Sequence, residues 1–160
     1  MPTYTVVGYN WNESWMHREI SRVTGSPINH VSIRVTGADS VSHEVYITTE
    51  NSHGTWLPTK LVERAHSPAI FVGKSILLRD FKELNIIKQA ARDWTNANHK
   101  ILPYRGYFHH YLGRRLGMQA PPCCSRLCSE VLNQLNIPVT EQFYPHLLVE
   151  DYIRETYRCM

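Results

Sequence analysis

The residues of this chain best suited to chemistry are its cysteines. Cys123, Cys124 and Cys128 fall within a run of six residues, and Cys159 stands apart near the end. A disulfide framework would spread its cysteines along the chain, and a bridge between adjacent Cys123 and Cys124 would be strained. The cluster therefore reads as reduced thiols. The sequence Pro121-Pro122-Cys123-Cys124-Ser125 sets these thiols at the start of a helix spanning 123–135, since proline suits a first turn whose N–H groups lack partners. A thiol there faces the positive end of the helix dipole and free N–H donors, which favours the nucleophilic thiolate. Cys128 lies one turn further in, on the side of Leu127, Val131 and Leu135, and reads as a small buried hydrophobe. Taken singly, cysteines of this kind are more often packing residues than nucleophiles. A zinc site built from Cys123, Cys124, Cys128 and His109 or His110 can be drawn, but the spacing matches no paired C-x-x-C pattern, and no metal or cofactor is expected.

A thiolate nucleophile needs a base, and the base needs an orienting group. Among the nine histidines, His30 stands out because it opens a β-prone run (HVSIRV) straight after a Ser-Pro turn. Alternation sets Ser32 and Arg34 on its side and Val31, Ile33 and Val35 on the core side. On the next run, 41–48 (VSHEVYIT), both His43 and Glu44 are candidates to orient it.

The elements that must position these residues follow from the pattern. A short strand over 3–8 comes first, then a helix over 14–24 with Ser14 as a plausible N-cap, ended by Gly25-Ser26-Pro27. The runs 30–35 and 41–48, joined by Gly37-Ala38-Asp39, make a hairpin. A strand is expected over 69–78. A helix over 81–95 aligns Leu84, Ile87, Ala91 and Trp94 on one face. The cysteine helix and a last helix over 145–157 complete the chain. Helices and strands are segregated, which points to α+β. The length of 160 residues suits one domain, 1–160. Composition excludes several classes: 42% hydrophobic and 19% charged residues argue against disorder. A net charge of +3, with Arg105, Arg114 and Arg115 the only basic grouping, is too diffuse for nucleic acid. No apolar run is long enough to span a membrane. The first residues lack a basic stretch followed by an apolar one, so no secretory signal is expected. With reduced thiols, this predicts a cytoplasmic protein.

In this arrangement the sequence resembles the circularly permuted branch of the NlpC-type papain-fold cysteine peptidases and amidases, in which the histidine strand precedes the nucleophile helix. ISRVTGSPINHVSIRV (20–35), the acidic Glu44 on the following strand, LPYRGYFHHYLGRRLG (102–117) and CSRLCSEVLNQLNI (124–137) carry the match, in the family's order. The resemblance implies a permuted papain-like α+β fold, with an antiparallel sheet packed on the nucleophile helix. It implies Cys124 as nucleophile, with Cys128 as the alternative register, His30 as base, and Glu44 as its orienting acid. Tyr104 would line the substrate cleft. The implied reaction is hydrolysis of a peptide or amide through an acyl-enzyme, with backbone N–H groups at the helix start facing the oxyanion. Lipid or thioester acyl transfer on the same fold, or a non-catalytic binding module, are the alternatives. The implied partner is a peptide, amide or acyl substrate.

Overall fold

The computed structural model describes residues 1–12, 15–47, 54–96, 115–117 and 123–158. The elements run β1 (Thr3–Tyr9), α1 (Trp15–Thr24), β2 (His30–Thr36), β3 (Ser42–Ile47), β4 (Gly54–Pro58), α2 (Thr59–Ala65), β5 (Phe71–Val72), β6 (Ile76–Leu77), α3 (Phe81–Asn96), α4 (Cys124–Gln134) and α5 (Pro145–Arg158). The strands form an antiparallel sheet in the order β4-β3-β2-β1-β5, with β6 also paired to β1. The architecture is α+β, as the segregated pattern predicts.

The hairpin forms as β2 and β3 around Gly37-Ala38-Asp39-Ser40. Gly37 N–H donates to Val41 O at 2.9 Å, and Ser40 takes the left-handed backbone, with φ of 66°. The expected strand over 69–78 splits into β5 and β6. Both lie on β1, separated by Gly73, where an added Cβ would sit 2.5 Å from Tyr152 Cε1. The side chain of Tyr152 fills that space and donates its hydroxyl to Lys74 O at 2.5 Å. β4 and α2 carry no signal in the sequence reading. Their run is short, and Pro58 ends the strand and caps the helix without a side-chain hydrogen bond.

Period-two alternation divides β1 and β2 between two layers. Tyr4 and Val6 of β1 and Val31, Ile33 and Val35 of β2 face α3, α4 and α5, where Ile87, Ala91, Leu127, Cys128, Val131, Leu132, Leu148 and Tyr152 complete the main core. Val7 and Tyr9 face the other way, with Trp11 and Val62 of α2. Both faces of the central strands are thus covered. Polar residues on the second face are consequently buried, His30 and Ser32 among them.

Turn chemistry closes the helices that matter for the site. α1 ends at Gly25, with φ of 70°, whose N–H returns to Ser21 O. α4 ends in a Schellman arrangement: Asn136 N–H donates to Asn133 O and Ile137 N–H to Leu132 O, at 3.1 and 2.8 Å. Asn136 supplies the positive φ of 66° that glycine usually provides. Ser14, the expected cap of α1, lies outside the described residues, as does Trp94's side chain. No helix of the described residues is long and apolar enough to cross a membrane.

Candidate active site

α4 begins at Cys124, with Cys123 as its extended N-cap residue. The three thiols have different surroundings. Cys128 is buried in the main core, among Leu127, Val131 and their neighbours. Burial, with Cys124 and Cys123 adding, holds its thiol well above the ordinary range. Cys123 turns away from the sheet. Its sulfur donates to Gln142 O at 3.3 Å, it packs with Phe143, Tyr144 and Leu147, and burial pushes its pKa up to about 12. Cys124 is half-buried and packs against the main core that includes Val31 of β2, and hydrogen bonding from the Val31, Ser125 and Cys124 backbones and the Ser125 side chain favours its thiolate. The Val31 N–H belongs to the peptide unit that joins it to His30. α4 thus meets β2 on its Val31 face, while the His30 ring turns to the face of Tyr9 and Trp11.

The dipole argument predicts a depressed Cys124 pKa. The structure gives the opposite sign: burial raises it, and the surrounding N–H groups offset only part of that. Removing a thiolate from water outweighs a few partial charges. At rest Cys124 is a neutral thiol.

His30 is buried on the Tyr9, Ser32 and Arg34 side of β2, as alternation predicts. Its ring lies face to face with Trp11, centroids 3.6 Å apart and planes 14° apart. Trp11 in turn stacks on His66 at 3.9 Å and 13°, and His17 meets the stack edge-on, 5.3 Å from Trp11 and 5.8 Å from His30. Stacking uses the face of the imidazole. Its nitrogens lie in the ring plane and keep their capacity to exchange a proton. Burial, then the neighbouring His17 and His66, depress the His30 pKa well below the usual histidine value, so this base is neutral.

The position of this stack is fixed by Asn29, which is fully buried. Its Oδ1 accepts from the backbone N–H of Trp11 at 2.8 Å, and its Nδ2 donates to the backbone carbonyls of Trp11 and His17 and to Ser21 Oγ at 2.9–3.1 Å. Its own N–H bonds Tyr9 O at 3.0 Å. One amide side chain therefore pins the β1–α1 connection and α1 to the residue before His30.

The two candidates for orienting His30 part company in the sheet. His43 faces α3, stacked on Trp56 at 5.6 Å, with Lys88 Nζ 5.8 Å from the Trp56 ring. Glu44 shares the face of His30, but its register opposite Arg34 sets it four residues along β2, about 13 Å at the usual strand rise. Its carboxylate is fully buried and engaged elsewhere. Tyr9 Oη lies 2.7 Å from both oxygens, and Arg34 Nε is 3.3 Å from Oε2. Arg34 Nη2 also reaches Tyr9 Oη at 3.3 Å and Glu63 at 3.1 Å. Tyr9 is the register partner of His30 across β1 and β2, with ring centroids 6.1 Å apart, so it stands between carboxylate and imidazole. Its own burial, then the Glu44 carboxylate beside it, raise the Tyr9 pKa.

Tyr104, His109 and His110 lie outside the described residues. Among those described, no group of three or more His, Cys, Asp or Glu side chains is arranged to hold a metal ion. The sequence reading missed Trp11, His17, Asn29, Tyr9 and His66. Only Asn29, beside the histidine and after a Ser-Pro turn, carried a local signal, since a buried asparagine often ties loops together. The chain matches no family model, no curated protein and no solved structure. Fold and site define an α+β protein with a half-buried thiol at a helix start, resting on a strand headed by a buried, neutral imidazole.

Proposed function

We propose that the chain is a thiol hydrolase of permuted papain-like fold, with Cys124 as nucleophile and His30 as base, acting on a peptide, amide or other acyl substrate. The observation that carries this reading is the packing of Cys124, at the start of α4, against the core that includes Val31, the residue after His30. It sets the start of the α4 helix against the strand that His30 opens, and the order along the chain, histidine before cysteine, is that of the permuted family. Both groups rest neutral, so the reaction starts by proton transfer rather than from a standing ion pair. His30 takes the Cys124 proton as sulfur attacks the acyl carbon. The N–H groups at the start of α4 stabilise the negative charge on oxygen. Collapse of that adduct breaks the acyl bond, and His30 returns the proton to the leaving nitrogen or oxygen. Water then attacks the thioester, with His30 again accepting a proton, and frees the acid and the thiol. Glu44 acts on His30 through Tyr9 in this reading, and Cys128 is a packing residue.

An acyl-type thiol probe tests it. Labelling is expected at Cys124, lost in Cys124→Ala, retained in Cys159→Ala, and slowed by about 100-fold or more in His30→Ala. Labelling that follows Cys128 moves the nucleophile by one turn and overturns this assignment. Equal labelling of Cys124→Ala and the native chain overturns the enzyme reading.

A further inference from the structure

Two rings cannot share one face of an indole with both centroids within 4 Å of it. The stacks of 3.6 and 3.9 Å, tilted by only 14° and 13°, therefore place His30 and His66 on opposite faces of Trp11, about 7.5 Å apart. No sequence neighbourhood produces this. Trp11 follows β1, His30 opens β2, and His66 follows α2. The indole is 1% exposed, so little water enters between the two imidazoles.

We propose that Trp11 is the positioning residue for the His30 imidazole, and that His66 is a second proton site coupled to His30 across it. This rests on the reading of His30 as base, and adds the device that sets its protonation. Trp11 fixes the ring plane of His30 and so the direction of its nitrogens. A proton on His66 opposes a proton on His30, because like charges interact across a spacer that water cannot screen. The enzyme then keeps a neutral, proton-accepting His30 into mildly acidic solution.

Of the other groups facing the stack, only His17 acts in the same sense. Tyr9 of β1 is a neutral phenol bonded to Glu44. His17 of α1 meets the rings edge-on and adds repulsion of the same sign. Tyr46 of β3 holds His66 Nε2 at 2.7 Å and leaves the far side of the indole to that ring. Cys124 of α4 packs against the main core on the other face of the sheet. Arg34, Glu44 and Glu63 lie further along the same sheet face and are engaged with one another.

The test is a proton NMR titration of the His30 ring, assigned by its loss in His30→Gln, in the native chain and in His66→Gln and His66→Lys. Coulomb's law over about 7.5 Å gives about 0.4 pH units in water-like surroundings and about 1.6 at a protein-like effective dielectric. The His30 midpoint should rise by roughly that range in His66→Gln. It should fall, or leave the accessible range, in His66→Lys, which keeps a cation at the site. A midpoint that stays within about 0.2 units in both folded variants, or moves in the same direction in both, overturns the coupling. The acid limb of Cys124 alkylation should shift with the His30 midpoint in Trp11→Phe and His66→Gln. If the NMR midpoint moves while alkylation ignores His30→Gln altogether, the coupling stands and the assignment of His30 as base falls.

Discussion

Arg34→Leu is the sharpest perturbation of the site's polar flank. Glu44 has 1% of its side chain exposed, and Arg34 is the cation against it, at 3.3 Å, with 14% exposed. Removing the guanidinium leaves the carboxylate, among the described residues, with the Tyr9 hydroxyl, whose single proton cannot serve both oxygens at once although each lies 2.7 Å away. Breaking a buried pair from one side costs about 3–5 kcal/mol, because the remaining charge stays out of water. At about 2–4 °C per kcal/mol for a chain of this size, the thermal midpoint should fall by about 6–20 °C. Glu44→Gln keeps the shape and an acceptor for Tyr9, and Arg34 keeps Glu63, so it should cost only about 1–3 kcal/mol. The double change Arg34→Leu with Glu44→Leu removes both charges and should be more stable than Arg34→Leu alone. Urea and thermal unfolding read all of these. An Arg34→Leu loss under about 1 kcal/mol, or a double variant less stable than the single one, refutes a buried anion held by this guanidinium. The same Glu44→Gln protein answers a question of mechanism. If the carboxylate acts through Tyr9 on His30, probe labelling of Cys124 slows in a chain that is still folded. If Glu44 only holds the sheet, labelling is unchanged.

Three further outcomes follow from particular contacts. Because burial depresses the His30 pKa, the unfolded chain binds that proton first: the stabilisation is present above the unfolded value of about 6.5 and is lost as pH falls below it, at about 1.4 kcal/mol per unit. Urea midpoints should drop between pH 7 and 5, more steeply in the native chain than in His30→Gln, and equal slopes would contradict the buried neutral ring. Asn29→Ala strips the partners from Trp11 N–H and O, His17 O and Ser21 Oγ and should cost about 2–4 kcal/mol by the same unfolding assay, whereas a loss below about 1 kcal/mol would mean water replaces the amide. Gly73→Ala drives a methyl to 2.5 Å from Tyr152 and should cost about 1–3 kcal/mol, with a neutral result showing that the ring can shift away from its bond to Lys74 O.

What the sequence carried was period; what it lacked was register. The alternation in HVSIRV assigns His30, Ser32 and Arg34 to one side and Val31, Ile33 and Val35 to the other, and the sheet keeps that division. The spacing of Ile87 and Ala91 sets α3's buried side, and Cys128 falls in the core beside Leu127 and Val131. Each of these is a property of a single element. The choice between His43 and Glu44 is not, because adjacent strand residues face opposite ways, and only the pairing of Glu44 with Arg34 says how far along β2 each one lies. The sign of the Cys124 shift escapes the sequence for a related reason. The helix dipole is local and visible in Pro-Pro-Cys-Cys, while the desolvation that outweighs it comes from β2 packing over the thiol, which spacing along α4 cannot express. The stack around Trp11 joins positions 11, 17, 30 and 66 through a turn, a helix, a strand and a helix end. Its members look like unrelated surface histidines until both faces of the sheet are covered. That second covered face turns polar strand positions into buried ones, and it is the physical reason a strand-start histidine here is neutral and oriented.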